Sequence, residues 1–125
     1  MQAKLLWLAL AGGLGALARY GLGGLVQRLL PGGFPWGTAG VNLLGSFLFG
    51  LIWSLAAERA AISAELRLIV LTGFMGAFTT FSTFMFETSE LLRTGQWLWA
   101  FCNVAGQCLL GLAAVFAGWA LARAL

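Results

Sequence analysis

The densest chemistry in the chain lies in Gly73-Phe74-Met75-Gly76-Ala77-Phe78-Thr79-Thr80-Phe81-Ser82-Thr83-Phe84, where glycines and four hydroxyls crowd one apolar stretch. That composition predicts a helix that breaks or unwinds. Unwinding leaves carbonyls unpaired where water is absent, which is tolerated only inside protein or against an ion or a cavity. Freed carbonyl oxygens bind cations. Phe81 and Phe84 stand i, i+3 and so share one helical face. Aromatic ring edges carry partial positive charge, so rings presented edge-on can sit against an anion, and Ser82 and Thr83 add O–H donors. The plain alternative is aromatic packing with hydroxyls bonded back to their own helix. It suits an isolated pair of rings better than a pair that follows a break and adjoins donors.

Two other polar residues interrupt apolar runs. Asn42, in Gly40-Val41-Asn42-Leu43-Leu44-Gly45, is a lone amide among the 29 uncharged residues between Arg28 and Glu58. In hydrocarbon it needs partners, either across helices or in an anion that takes its N–H groups. Arg19 lies within the first apolar stretch. An Arg deep in a span costs about 2.5–3.5 kcal/mol on insertion scales and faces a wet cavity or a partner, unless it snorkels to an interface. In a cavity it would draw an anion inward.

Catalytic chemistry has little to work with. There is no His to shuttle protons and no His/Cys/Asp cluster to hold a metal. Glu87 and Glu90 share a helix face near a span end and read as interfacial carboxylates rather than an acid/base pair. Gly13-Leu14-Gly15-Ala16-Leu17-Ala18 imitates a dinucleotide fingerprint, but lacks the preceding strand and the later acid that the fingerprint needs. Cys102 and Cys108 would lie about 9 Å apart along a helix axis, too far to form a disulfide.

The elements that position these residues follow from composition. The chain has 125 residues, of which 61% are hydrophobic and 9% charged. A soluble domain averages about 25% charged. The charges act as punctuation: 29 uncharged residues lie between Arg28 and Glu58, 29 between Arg93 and Arg123, and 19 between Arg67 and Glu87. Since roughly 20 apolar residues cross a bilayer, the fold class is all-α integral membrane. The expected spans are residues 3–29, 35–57, 66–92 and 96–123, forming one domain over 1–125. A secretory leader ending at Ala16-Leu17-Ala18 is the alternative for the first stretch; the rest of the chain is equally apolar, which favours a first span. Pro31-Gly32-Gly33-Phe34-Pro35 and Thr94-Gly95-Gln96 supply turns. Tryptophans gather near span ends, where interfaces favour them.

Eighteen glycines, with small residues four apart at Ala11/Gly15 and Ala114/Gly118/Ala122, predict close helix packing and an oligomer. The termini and second loop carry Lys4, Arg59, Arg67 and Arg123, and the other side Arg28 and Arg93. That weak bias allows insertion either way up. The basic residues are scattered rather than clustered on a face, so no nucleic-acid partner is expected.

Three motifs in order now carry a resemblance over essentially the whole length. They are Gly12-Gly13 through Gly15-Ala16 to Arg19-Tyr20, Gly37-Thr38 through Val41-Asn42 to Gly45, and Gly73 to Phe84 with Thr-Thr-Phe-Ser-Thr-Phe intact. The chain resembles the bacterial fluoride ion channels of the Fluc, or CrcB, family. The resemblance implies an antiparallel, dual-topology homodimer of four-helix subunits in the bacterial inner membrane, embedded in lipid. It implies two fluoride pores per dimer and a broken third helix. By motif, Phe81 and Phe84 match pore-facing phenylalanines, Asn42 the pore amide, and Ser82 and Thr83 hydroxyls near the pathway. Arg19 matches a vestibule arginine and Glu87 a vestibular acid. A structural Na+ on the dimer axis would take the backbone carbonyls of Gly76 and Thr79 from both subunits. Ala77 departs from the expected glycine pair at the break. In the fourth span Asn103 and Gln107 stand where the family presents hydroxyls, and are the candidate polar track.

The implied activity is passive export of fluoride. HF crosses lipid and ionises in a neutral cytoplasm, and an open pore lets the membrane potential drive the anion out. The main rival is a small dual-topology drug/proton antiporter, which would need an embedded carboxylate where the first span offers Arg19. A non-transporting assembly factor would explain the glycines but not the donors clustered after the break.

Overall fold

Apolar runs bounded by charge form helices here because hydrocarbon leaves the backbone no hydrogen-bond partner but itself. The computed structural model describes residues 1–58 and 62–125, and among these every regular element is helical. Helix α1 spans Gln2–Leu29 and α2 spans Trp36–Glu58. The next segment opens with α3 (Ala64–Leu68), widens into a π-helical stretch over Ile69–Met75 and ends in a short α4 (Gly76–Phe78). Helix α5 spans Phe81–Arg93 and α6 spans Trp97–Ala124. Four units, Gln2–Leu29, Trp36–Glu58, Ala64–Arg93 and Trp97–Ala124, are long and apolar enough to cross a membrane.

The third unit starts earlier than charge spacing alone suggests, because Ser63 caps it: the Ser63 hydroxyl oxygen accepts from the Leu66 amide at 3.2 Å. Glu65 and Arg67 therefore belong to its first turns rather than to a polar loop. Arg59, counted above among the cations of that loop, lies outside the described residues.

The turns are tied by side chains and by glycine. Gln27 Nε2 donates to the Phe34 carbonyl at 3.1 Å, and Gln27 Oε1 accepts from the Gly37 amide at 3.0 Å. That satisfies one of the amides left unpaired at the start of α2. At the end of α5, Gly95 takes φ 74° and the Gln96 amide closes on the Leu91 carbonyl at 2.8 Å. This is the glycine-dependent helix stop that lets α6 turn back against α5.

Small residues decide which helices meet. Helix α2 packs along α6, where a Cβ on Gly118 would strike the Phe47 carbonyl. The Ala114/Gly118/Ala122 series thus faces α2, with Ala122 buried. The Ala11/Gly15 pair faces the π-helical stretch and α4: a Cβ on Gly15 would strike the Phe74 carbonyl. Val41, Leu71, Met75 and Phe78 fill the centre between α2 and the third unit. This third unit changes neighbours along its length. From Ile69 to Phe78 it packs chiefly on α1, and from Phe81 onward chiefly on α6.

Candidate functional site

The change of neighbours happens at two residues. Thr79 (φ −90°, ψ 161°) and Thr80 (φ −149°, ψ 122°) are extended, between the end of α4 and the start of α5. The last turn before them closes with the Thr79 amide on the Met75 carbonyl at 3.1 Å. In a continued helix the Thr80 amide would donate to Gly76 O and the Thr83 amide to Thr79 O. Here the Thr80 amide donates to Asn42 Oδ1 at 2.8 Å, and the Thr83 amide to Thr80 Oγ1 at 3.3 Å. The carbonyls of Gly76 and Thr79 both lose their helical donors. Thr80 acts as N-cap for α5.

Asn42 pairs with the Thr80 peptide as one strand pairs with another. Its Nδ2 donates to the Thr80 carbonyl at 3.0 Å while its Oδ1 takes the Thr80 amide. Its second amide hydrogen goes to Gln107 Oε1 at 2.8 Å. Gln107 Nε2 donates to Asn103 Oδ1 at 2.8 Å, and Asn103 Nδ2 to Thr88 Oγ1 at 2.9 Å. The Thr88 hydroxyl ends the series on the Phe84 carbonyl at 2.8 Å. The lone amide thus finds its partners across helices, and both its hydrogens are engaged.

Two cavities flank this point. One, of about 380 Å³, is lined by Arg19, Thr38, Thr80, Thr83 and Glu87 among others. The other, of about 340 Å³, is lined by Asn42, Ser46, Thr79, Thr80, Phe81, Phe84 and Gln107 among others. Thr80 is common to both. In the first cavity the Thr38 hydroxyl donates to Glu87 Oε1 at 2.8 Å. Glu87 Oε2 is buried without a hydrogen-bond partner among the described residues. The ion pairs among the described residues are Arg93–Glu90 and Arg123–Glu58; Arg19 makes none, and shares its cavity with the Glu87 carboxylate. In the second cavity the Phe81 and Phe84 rings meet edge to face, 6.1 Å apart at 76°. They differ in environment: Phe81 is 73% exposed and Phe84 5%.

The residues singled out from sequence are thus divided. Asn42, Phe81, Phe84 and Gln107 line the second cavity, while Arg19, Thr83 and Glu87 line the first. Ser82 is exposed and lines neither. Asn103 is fully buried behind Gln107, away from both. Thr38, Ser46, Thr80 and Thr88 join the site only through the fold. A signal existed for the first two: Thr38, Asn42 and Ser46 recur every four residues on one face of α2, and the Ser46 hydroxyl donates to the Asn42 carbonyl at 2.7 Å.

Comparison with known proteins covers nearly the whole chain. The family model described as CrcB-like protein, Camphor Resistance (CrcB), matches residues 6–119. A protein of Nitrosococcus oceani named "Fluoride-specific ion channel FluC" is 58% identical over 123 residues, covering 98% of each chain. Proteins of the same name from Solidesulfovibrio magneticus and Nitratidesulfovibrio vulgaris are 56% and 54% identical, covering 98% of both chains for the first, and 96% of this chain and 97% of the relative for the second.

Proposed function

This chain belongs to the CrcB-like family of fluoride-specific ion channels, and from that premise we propose how its own residues pass fluoride. The protein is a membrane channel for fluoride and not an enzyme. The observation that carries the reading of the path is the pair of cavities meeting at the Asn42–Thr80 clamp. Arg19, which makes no ion pair with the Glu87 carboxylate that shares its cavity, draws the anion into the first cavity. Beyond Thr80 the ring edges of Phe81 and Phe84 present weak positive field, which replaces hydration without trapping the ion. The membrane potential then does the work of export, worth about 2.3 kcal/mol per charge per 100 mV.

The functional unit is an antiparallel homodimer in the bacterial inner membrane. Two features support this reading. Almost none of the apolar window of α1 or α6 is buried within one subunit. Phe81, the ring expected at the path, projects outward, where a partner would complete its surroundings. A structural Na+ fits the break, because the carbonyls of Gly76 and Thr79 have lost their helical donors to Asn42 Oδ1 and Thr80 Oγ1. Ala77 does not disturb that chemistry, since the ligands are backbone oxygens. When bound, the ion would supply the positive charge that freed carbonyls otherwise lack in hydrocarbon.

The test is fluoride release from proteoliposomes loaded with fluoride, with a potassium ionophore relieving the voltage and an electrode reading the anion. Release well above empty liposomes, independent of a proton gradient, is the expected result. No release from demonstrably folded protein would sink the channel reading. Release that requires a proton gradient would point to an antiporter.

A further inference from the structure

The amide series running from Asn42 to Thr88 has a fixed direction, and its two ends return to the same segment. A backbone N–H only donates and a backbone carbonyl only accepts, so Thr80 dictates which way the Asn42 amide points. Asn42 must then donate to Gln107 Oε1, Gln107 Nε2 to Asn103 Oδ1, and Asn103 Nδ2 to Thr88 Oγ1. The Thr88 hydroxyl hydrogen is left for the Phe84 carbonyl. No member can turn over without setting two donors or two acceptors face to face. The series leaves the third unit at Thr80, crosses α2 and α6, and re-enters at Thr88 on α5.

We propose that Gln107, Asn103 and Thr88 are positioning residues, forming a one-way hydrogen-bond relay that holds Asn42 against the Thr80 peptide and so fixes the extended Thr79–Thr80 geometry between the two cavities. The fourth span then acts on the ion through Asn42 rather than as a ladder of anion donors. Three observations carry this. Asn103 is 0% exposed and lines neither cavity, as does buried Thr88, so neither can touch a permeating ion there. Gln107 is held at both ends of its carboxamide, its oxygen by Asn42 and one amide hydrogen by Asn103. Every side-chain nitrogen and oxygen in the series has a partner within it or at its two ends, and buried polar chains of this kind specify one arrangement because a half-satisfied one is costly.

The proposal rests on the channel reading for its functional consequence, but not for its structural one, and the experiment separates the two. Amide hydrogen exchange is measured on the full-length protein across the segment from Phe78 to Phe84, alongside fluoride efflux from liposomes. The variants are Thr88→Val, which keeps the shape and removes one hydroxyl, Thr88→Ser, which restores it, and Gln107→Leu. Thr88→Val and Gln107→Leu are expected to speed exchange at Thr80 by about fivefold or more, with exchange in α1 unchanged, because a buried donor left unpaired opens the series. Efflux should fall with it, and Thr88→Ser should behave as the parent in both. Unchanged exchange at Thr80 in folded Thr88→Val and Gln107→Leu overturns the relay. Loss of efflux with unchanged exchange also overturns it, since the residues would then act on the ion directly. A parent protein that releases no fluoride would sink the channel reading while the exchange arm still decides the relay.

Discussion

At the residue scale, Asn42 joins sequence to function most directly. It is a peptide mimic: its carboxamide completes the hydrogen bonds that the extended Thr80 can no longer make along a helix. Asn42→Asp keeps the size and Oδ1 but replaces the donor with a second acceptor, aimed at the Thr80 carbonyl and Gln107 Oε1. Fluoride efflux is expected to fall at least about tenfold, since each buried acceptor left facing another costs about 1–3 kcal/mol. Efflux near the parent rate would contradict the clamp. Phe81→Ile and Phe84→Ile should both reduce efflux, and Phe84→Ile should also lower the thermal unfolding temperature measured in detergent, by a loss on the order of 1 kcal/mol from underfilled space. A Phe84→Ile variant as stable as the parent would contradict the burial of this ring within the subunit. Side-chain types made Asn42, Arg19 and the Phe pair stand out in the sequence, because each is anomalous in hydrocarbon. Thr38 and Thr88 did not stand out, because a lone threonine in a span bonds back to its own helix at little cost. Only the fold reveals that the Thr38 hydroxyl reaches Glu87 on another helix.

At the scale of the elements, the third unit is two helical pieces with different neighbours. The glycine and hydroxyl density between Gly73 and Phe84 marked this segment in the sequence, as the charge gaps marked the four spans. Which residues would leave the helix was not legible, because Thr79 and Thr80 are extended through a contact with Asn42, 38 residues away. The π-helical stretch over Ile69–Met75 was likewise not legible, since its residues carry no pattern that separates it from an α-helix. Close packing was legible from small residues, but not their partners. Gly118→Val tests that seam: its Cβ meets the Phe47 carbonyl, a backbone atom that cannot rotate away. The variant should lose at least about 1–3 kcal/mol through overpacking, read as a lowered unfolding temperature or loss of folded protein. A fully stable Gly118→Val would mean that α2 and α6 do not approach this closely. Sodium belongs to the same scale, because its proposed ligands exist only where the helix stops. Exchanging Na+ for a large organic cation on both sides of the membrane should abolish efflux, and efflux that persists would remove the ion from the break.

For the whole molecule, the charges and the outward surface bear on one question: how a chain with so little orientation signal assembles. By sequence, Lys4, Arg59, Arg67 and Arg123 belong to one side and Arg28 and Arg93 to the other. A cation excess this small gives the insertion machinery little basis to prefer one orientation. Helix α1 meanwhile turns Gly13 and Gly21 to open space, with no heavy atom from beyond their own stretch of helix within 4 Å of a Cβ built on either. Such bare backbone suits close approach by another helix in lipid. Opposite insertion and a partner on α1 are thus compatible demands on one surface. Placing a single cysteine at Gly33, in the turn between α1 and α2, with Cys102 and Cys108 replaced by alanine, reads the orientation directly. A membrane-impermeant maleimide added to sealed cells should label roughly half of the chains, and the rest only after permeabilisation, as near-balanced charge requires. Labelling of all or none from outside would establish a single orientation and exclude the antiparallel dimer. The two path segments expected from each subunit would then have to be completed some other way.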